Sequence, residues 1–180
     1  MAFPNWQSFL NVWDKEFIVP TATYIALQNT TLSTNAASVT FSSIPATYQD
    51  LVIITNTDNT AQADYYLRFN GDTGNNYNRA TIQGSGSVAS QNLSNNAAFM
   101  RLNGNGDLAT DFSHTAIIHI NEYSRTDRHK NVLARTNSTH GVDATSGRWA
   151  SVSAVTSVTI YPSTGSFELG STFSLFGIVG

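Results

Sequence analysis

From residue 21 onward, hydrophobic and polar positions alternate over short stretches that are repeatedly closed by turn-forming residues. Val155, Ser157, Thr159 and Tyr161 interleave with Thr156, Val158 and Ile160, and the same pattern runs through Phe173-Ser174-Leu175-Phe176. A period of two puts successive side chains on opposite faces of a strand. Strands are predicted over 23–28, 38–41, 50–55, 65–70, 79–83, 97–102, 114–123, 131–137, 149–154, 157–161 and 172–176. Between them lie Ile44-Pro45, Asn70-Gly71-Asp72, Gly84-Ser85-Gly86, Asn103-Gly104-Asn105-Gly106 and Tyr161-Pro162-Ser163-Thr164-Gly165, whose residues favour turns. Asn70-Gly71 is a strong hairpin signal. Residues 84–96 are small, polar and almost uncharged, and read as a flexible loop or as a wide excursion ordered by a neighbour. No helical pattern separates these strands, so a parallel α/β sheet is excluded. The expected fold is all-β, an antiparallel jelly-roll-like β-sandwich forming one domain over 21–180.

The first 20 residues follow a different period. Phe3, Trp6, Phe9, Leu10, Trp13 and Phe17 recur at steps of three and four, which is one face of a helix. Pro4 suits a first turn and Pro20 closes the segment. A helix this short is marginal without a surface to dock on. Residues 1–20 therefore read as a short aromatic N-terminal arm, which packs either on its own domain or on a neighbouring subunit. In the second case these six residues are the expected partner-binding anchors.

Composition sharpens this picture. Thr, Ser and Asn supply 60 of 180 residues, whereas only 12% are charged, about half the usual fraction. Surface helices need Glu, Lys and Arg, so helix-poor β structure is reinforced. There is no cysteine, hence no disulfide framework. The formal net charge of −3 provides no general basic surface for nucleic acid. No apolar run approaches a membrane span, and the N-terminal stretch lacks the pattern of a secretory signal. The expectation is a protein made in a cytoplasm and remaining in water.

Candidate chemistry is sparse. His114 and His119, five apart in one predicted strand, point to opposite faces, and His129 and His140 fall in or near turns. No metal site or cofactor is expected from them. Asp72, Asn75 and Asn76 superficially resemble a calcium loop but lack its spacing and terminal Glu, and a turn explains them. No nucleophile elbow, phosphate loop or dinucleotide fingerprint is present. The only Glu residues are Glu16, Glu122 and Glu168, a poor supply for paired-carboxylate chemistry. The chain is expected not to be an enzyme. Arg125, Arg128, His129, Lys130 and Arg135 form the one charge cluster, with Asp127 among them. Its core reads either as a solvated loop tip or as a contact for an acidic partner, with Arg125, Arg128 and Lys130 the partner-binding candidates. Tyr65, Tyr66, Tyr77, Trp149 and Tyr161 are candidates for a sugar-stacking face or for packing.

Four segments in order resemble a family of tailed-bacteriophage virion structural proteins. They are the strand–turn–strand from Ala37 to Val52, the LRFNGDTGNNY element from Leu67 to Tyr77, the SVTIYPSTG segment from Ser157 to Gly165, and the closing strand from Phe167 to Ile178. The resemblance covers roughly Thr21 to Ile178 and leaves out the arm. It implies a β-sandwich on the outer surface of the capsid, a decoration or cement protein, with tail-associated relatives. The implied partners are the major capsid protein and further copies of the chain, a trimer being expected. The alternative is a tail or fibre component that recognises a host-surface glycan. The shared segments carry over no catalytic residues.

The break in period at Pro20 makes the β region a folding unit. The chain truncated to residues 21–180 is expected to keep its β-type circular dichroism and a cooperative melt. Loss of cooperativity would make the arm part of the core.

Overall fold

A computed structural model describes residues 22–104, 114–138 and 141–180. The arm residues Phe3, Trp6, Phe9, Leu10, Trp13 and Phe17, and His140, lie outside the described residues. The strands are β1 (Tyr24–Thr31), β2 (Val39–Phe41), β3 (Asp50–Thr57), β4 (Tyr65–Phe69), β5 (Tyr77–Gly84), β6 (Ala89–Ala97), β7 (Met100–Arg101), β8 (His114–Asn121), β9 (Lys130–Ser138), β10 (Gly141–Trp149), β11 (Val158–Pro162) and β12 (Thr172–Ile178). They form an eight-stranded sheet, β1-β12-β3-β8-β9-β10-β5-β6, and a four-stranded sheet, β2-β11-β4-β7. Every pairing is antiparallel. The result is the expected antiparallel, jelly-roll-like β-sandwich.

The two-residue period fixes which side chains enter the core. In β8, His114, Ala116, Ile118 and Ile120 are buried while Thr115, Ile117, His119 and Asn121 face outward. Leu51, Ile53, Ile118, Ile120, Val132, Phe173 and Leu175 of the large sheet meet Leu67, Phe69, Val158 and Ile160 of the small one. Burying a side chain of this size contributes about 1.5–3 kcal/mol, so the alternation alone secures the layering.

Three expectations need correction. Residues 84–96 are not a loop: they hold the β5–β6 turn and most of β6, which pairs with β5 from Ala97↔Tyr77 to Ala89↔Gly84. β6 is an edge strand with neither face fully buried, so it needs no hydrophobic alternation. The strand expected over 149–154 lies earlier, as β10, whose inward side chains Asp143 and Thr145 are buried yet polar. Gly147, also inward, leaves room for Met100, into which a Cβ would run. Finally, Asn70-Gly71 makes the tight turn its sequence demands, with φ of 52° and 66°, but no hairpin. The strands it joins, β4 and β5, belong to different sheets.

That crossing is fastened by side chains from the LRFNGDTGNNY element. The Asn70 carboxamide accepts from the backbone N–H groups of Thr156 (2.8 Å) and Ser157 (3.1 Å) and donates to the Ala154 carbonyl (2.8 Å). The Asp72 carboxylate accepts from the Trp149 indole (2.6 Å), the Asn76 carboxamide (2.9 Å) and the Gly74 N–H (2.7 Å). The Phe69 N–H donates to the buried Tyr77 hydroxyl at 3.0 Å. The calcium-like run is thus a clasp between the two sheets. At the other flank, a Cβ on Gly177 would run into the Tyr48 ring, so close approach requires glycine there.

Burial works against ionising Asp72. Its hydrogen bonds from Trp149, Asn76 and Gly74, with the Arg68 charge nearby, outweigh that and hold its carboxyl below the usual carboxylate range. Because the folded-state value is depressed, the contribution is present above the ordinary carboxylate pKa and is lost as pH falls through the folded value. Asp72→Ala leaves the Trp149 indole N–H without this acceptor and is expected to cost about 1–3 kcal/mol. Urea unfolding at neutral pH checks the loss. The gap between wild type and variant should close toward acid.

Candidate functional site

The outer face of the large sheet carries the most unusual surface. Across the strands one row reads Ile54, Ile117, Arg135, Ala144 and Ile82, on β3, β8, β9, β10 and β5. The neighbouring row reads Val52, His119, Leu133, Ser146, Ala80 and Leu93, ending on β6. Ile82 and Leu93 are each 68% exposed, Val142 63% and Leu133 52%. Scattered exposed aliphatics are ordinary, but a contiguous apolar bed marks an interaction surface. Two adjoining depressions of 610 and 580 Å³ lie on it and share Ile82, Ile117, Arg135 and Ala144. Tyr24, at the start of β1, lines the second. Arg135 contributes a cation, and His119 pairs with Asp50 at 3.2 Å. Such a bed suits an amphipathic polypeptide segment better than a small polar substrate.

The opposite, inner face of the large sheet is polar at one end. His114 is buried, its ring packs edge-on against Tyr65 at 5.2 Å, and neither ring nitrogen has a hydrogen-bond partner among the described residues. Nearby, the Asn103 carboxamide oxygen accepts from the Tyr65 N–H at 2.9 Å. The Asp143 carboxylate accepts from the Gly104 N–H at 2.9 Å and the Thr136 hydroxyl at 3.3 Å. Burial depresses the His114 pKa to about 4, so the ring is neutral at pH 7. Sequence reasoning placed His114 and His119 on opposite faces of their strand, as found. Among the described residues no group of three or more acidic or histidine side chains is placed to hold a metal. No helix among them is long and apolar enough to cross a membrane.

The charge cluster divides. Arg125 and Arg128 are at the β8–β9 turn, half-exposed, and already paired. Arg125 and Arg128 both reach Asp127, at 2.7 and 3.1 Å, and Arg128 also reaches Glu122 at 2.7 Å. The hydrogen bonds from Arg125 and Arg128 hold the Asp127 carboxyl far below its usual range. Lys130 is the correction: it opens β9 and is buried, its ammonium donating to the Arg128 carbonyl at 2.9 Å. Burial lowers its pKa. The inward parity of β9 takes Lys130 away from any partner. Arg135 lies mid-strand on the outer bed, apart from the turn.

The aromatic candidates also separate. Tyr65, Tyr77 and Trp149 are core residues. Tyr66 and Tyr161 face outward from the small sheet with Phe99, which stacks on Tyr66 at 4.0 Å, and the Arg68 guanidinium lies over the Tyr161 ring at 5.0 Å. Sequence parity separated Tyr65 from Tyr66 correctly. Phe99 precedes the two-residue β7 (Met100–Arg101), inside the strand expected over 97–102, and nothing in that segment sets it apart as a partner of Tyr66.

No family model and no curated protein matches the chain. Among solved structures it is similar to that of an alginate lyase mutant in complex with an alginate tetrasaccharide, at 6% identity and a TM-score of 0.31, over 87% of this chain and 73% of that one. The expectation that the chain is not an enzyme is corrected: it rested on missing motifs alone, and a missing motif does not exclude catalysis. At that TM-score the likeness assigns no activity, substrate or residue to this chain.

The buried imidazole predicts a pH dependence. The folded-state value lies below the ordinary histidine pKa, so the unfolded chain binds the proton more readily between them. Stability is therefore full above about pH 6.5, falls as pH drops toward 4, and levels off below. The loss is on the order of 3 kcal/mol. In His114→Phe the slope over this window is expected to flatten in urea titrations at stepped pH. An unchanged slope would assign it to another group.

Proposed function

We propose that the protein is a structural component of a tailed-bacteriophage particle, decorating the capsid by binding across neighbouring capsid subunits and associating with copies of itself. The observation that carries this reading is spatial. The four segments of the resemblance, spread from Ala37 to Ile178, supply β2, β11 and the second half of β4, adjacent in the small sheet, and β12 and the start of β3, adjacent in the large one. They form one contiguous block, fastened by Asn70 and Asp72. A resemblance distributed along the chain thus corresponds to one scaffold. The residues outside it, on β5, β6, β8, β9 and β10, carry most of the exposed apolar bed.

A second reading, a tail or fibre component that recognises a host glycan, has the Tyr66–Phe99–Tyr161 group and Arg68 in its favour. Copy number separates the two. Imaging of purified particles is expected to show this chain in many copies on the head, whereas a few copies at the tail would favour adhesion.

Within the first reading, the half-exposed Arg125 and Arg128 are attachment residues. Exposed ion pairs are screened by solvent and contribute little to folding, so reversing both charges is expected to leave the melting temperature nearly unchanged. Occupancy on particles should fall, and fall differently at low and high salt. Full occupancy of the variant at every salt concentration would remove these residues from the interface.

A further inference from the structure

The apolar bed on the outer face of the large sheet has no cover among the described residues. We propose that it is the docking site of this chain's own N-terminal arm, with residues 3–17 lying as a short helix across β3 to β6.

Position, reach and shape converge on this occupant. The described chain begins at Ala22, two residues before Tyr24, and Tyr24 itself lines the depression that contains Ile82, Ile117 and Leu133. The arm therefore leaves the sandwich at the rim of the bed. The seven residue-to-residue steps from Phe17 to Tyr24 extend at most about 24 Å, and β1 lies two strands from β3, about 10 Å. Fifteen helical residues run about 22 Å, and the five interstrand steps from β3 to β6 cover about 24 Å. Phe3, Trp6, Phe9, Leu10, Trp13 and Phe17 would place their stripe along the whole bed, from Ile54 to Leu93.

A depressed surface receives a convex cylinder, whereas a second copy of the same depressed face would leave a void between the two. A segment tethered at the rim also meets the site at a local concentration that a free molecule does not reach. Both considerations favour the chain's own arm. Docked there, a helix too short to persist alone gains the surface it needs. This inference concerns the free protein and does not rest on particle attachment.

The chain has three tryptophans, of which Trp149 is buried in the core and Trp6 and Trp13 belong to the arm. Acrylamide quenching of tryptophan emission is expected to find the full-length protein protected. In Ile82→Asp/Leu133→Asp, which alters two exposed side chains, emission should shift to the red and protection should be lost while the β-type circular dichroism stays. No difference between the two proteins would overturn the proposal.

Should that variant unfold, a second measurement decides. The absence of cysteine allows Leu133→Cys to carry a single bimane, a dye quenched by tryptophan on contact. Quenching that is relieved by Trp6→Phe/Trp13→Phe, and that persists on dilution, supports docking of the chain's own arm. Bright bimane in the wild-type arm background overturns it. So does quenching that disappears on dilution, which would put the arm on another copy.

Discussion

Eight paired strands span roughly 34 Å and four span roughly 14 Å. The small sheet therefore cannot cover the inner face of the large one, and the rest of the structure follows from that mismatch. Where the sheets overlap, the interior is aliphatic and aromatic, from Leu51 and Ile118 to Phe69 and Val158. Toward β10 and β5 the inward positions become Asp143, Thr145, Thr81 and Arg79. Arg79, Thr81 and Thr145 hydrogen-bond in a chain, while Asp143 accepts from Thr136 and the Gly104 N–H. Thr81 and Thr145 share a hydrogen bond at 2.9 Å, Thr145 donates to the Leu102 carbonyl, and Arg79 donates to Thr81 and to Asn92 on the edge strand. Such pairing offsets most of the cost of burying polar groups.

The same mismatch decides what could be read in advance. The all-β class, the sandwich and most strands were legible, because where two sheets face each other the two-residue period is written in large apolar side chains. β10 was misplaced because its inner face lies at the polar end, where Asp143, Thr145 and Gly147 carry no hydrophobic signal. β6 was read as a loop because an edge strand with no fully buried face is indistinguishable from polar turn sequence. Asn70-Gly71 gave the turn but not its partners, since turn chemistry is local and the choice of sheet is not.

The site was less legible than the fold. Lys130 belongs to a charged run in the sequence, yet strand parity turns it inward, beyond what a cluster count records. Arg125 and Arg128 were visible, but their pairing with Asp127 and Glu122 makes the turn far less cationic than it reads. The apolar bed was invisible because it is assembled from single residues on six strands. Ile54, Ile117, Leu133, Val142, Ile82 and Leu93 are each unremarkable in their own segment, and only the register brings them together.

Register also ties the surfaces to one end of the molecule. Tyr24 stands opposite Ile178, and Ile178 opposite Asp50, whose carboxylate accepts from the Glu122 N–H at 2.6 Å. The point where the arm leaves and the turn bearing Arg125 and Arg128 are therefore at the same end of the strands. That end is fixed by the Asp50 contacts and by the Tyr48 ring seated against Gly177. The other end, around His114 and Asn103, holds buried polar groups. An arm laid back over the outer bed covers apolar area without occupying the charged turn. On the proposed reading, the turn and the chain exit then form a single face toward the particle, and the sandwich behind them acts as a rigid body that sets their spacing.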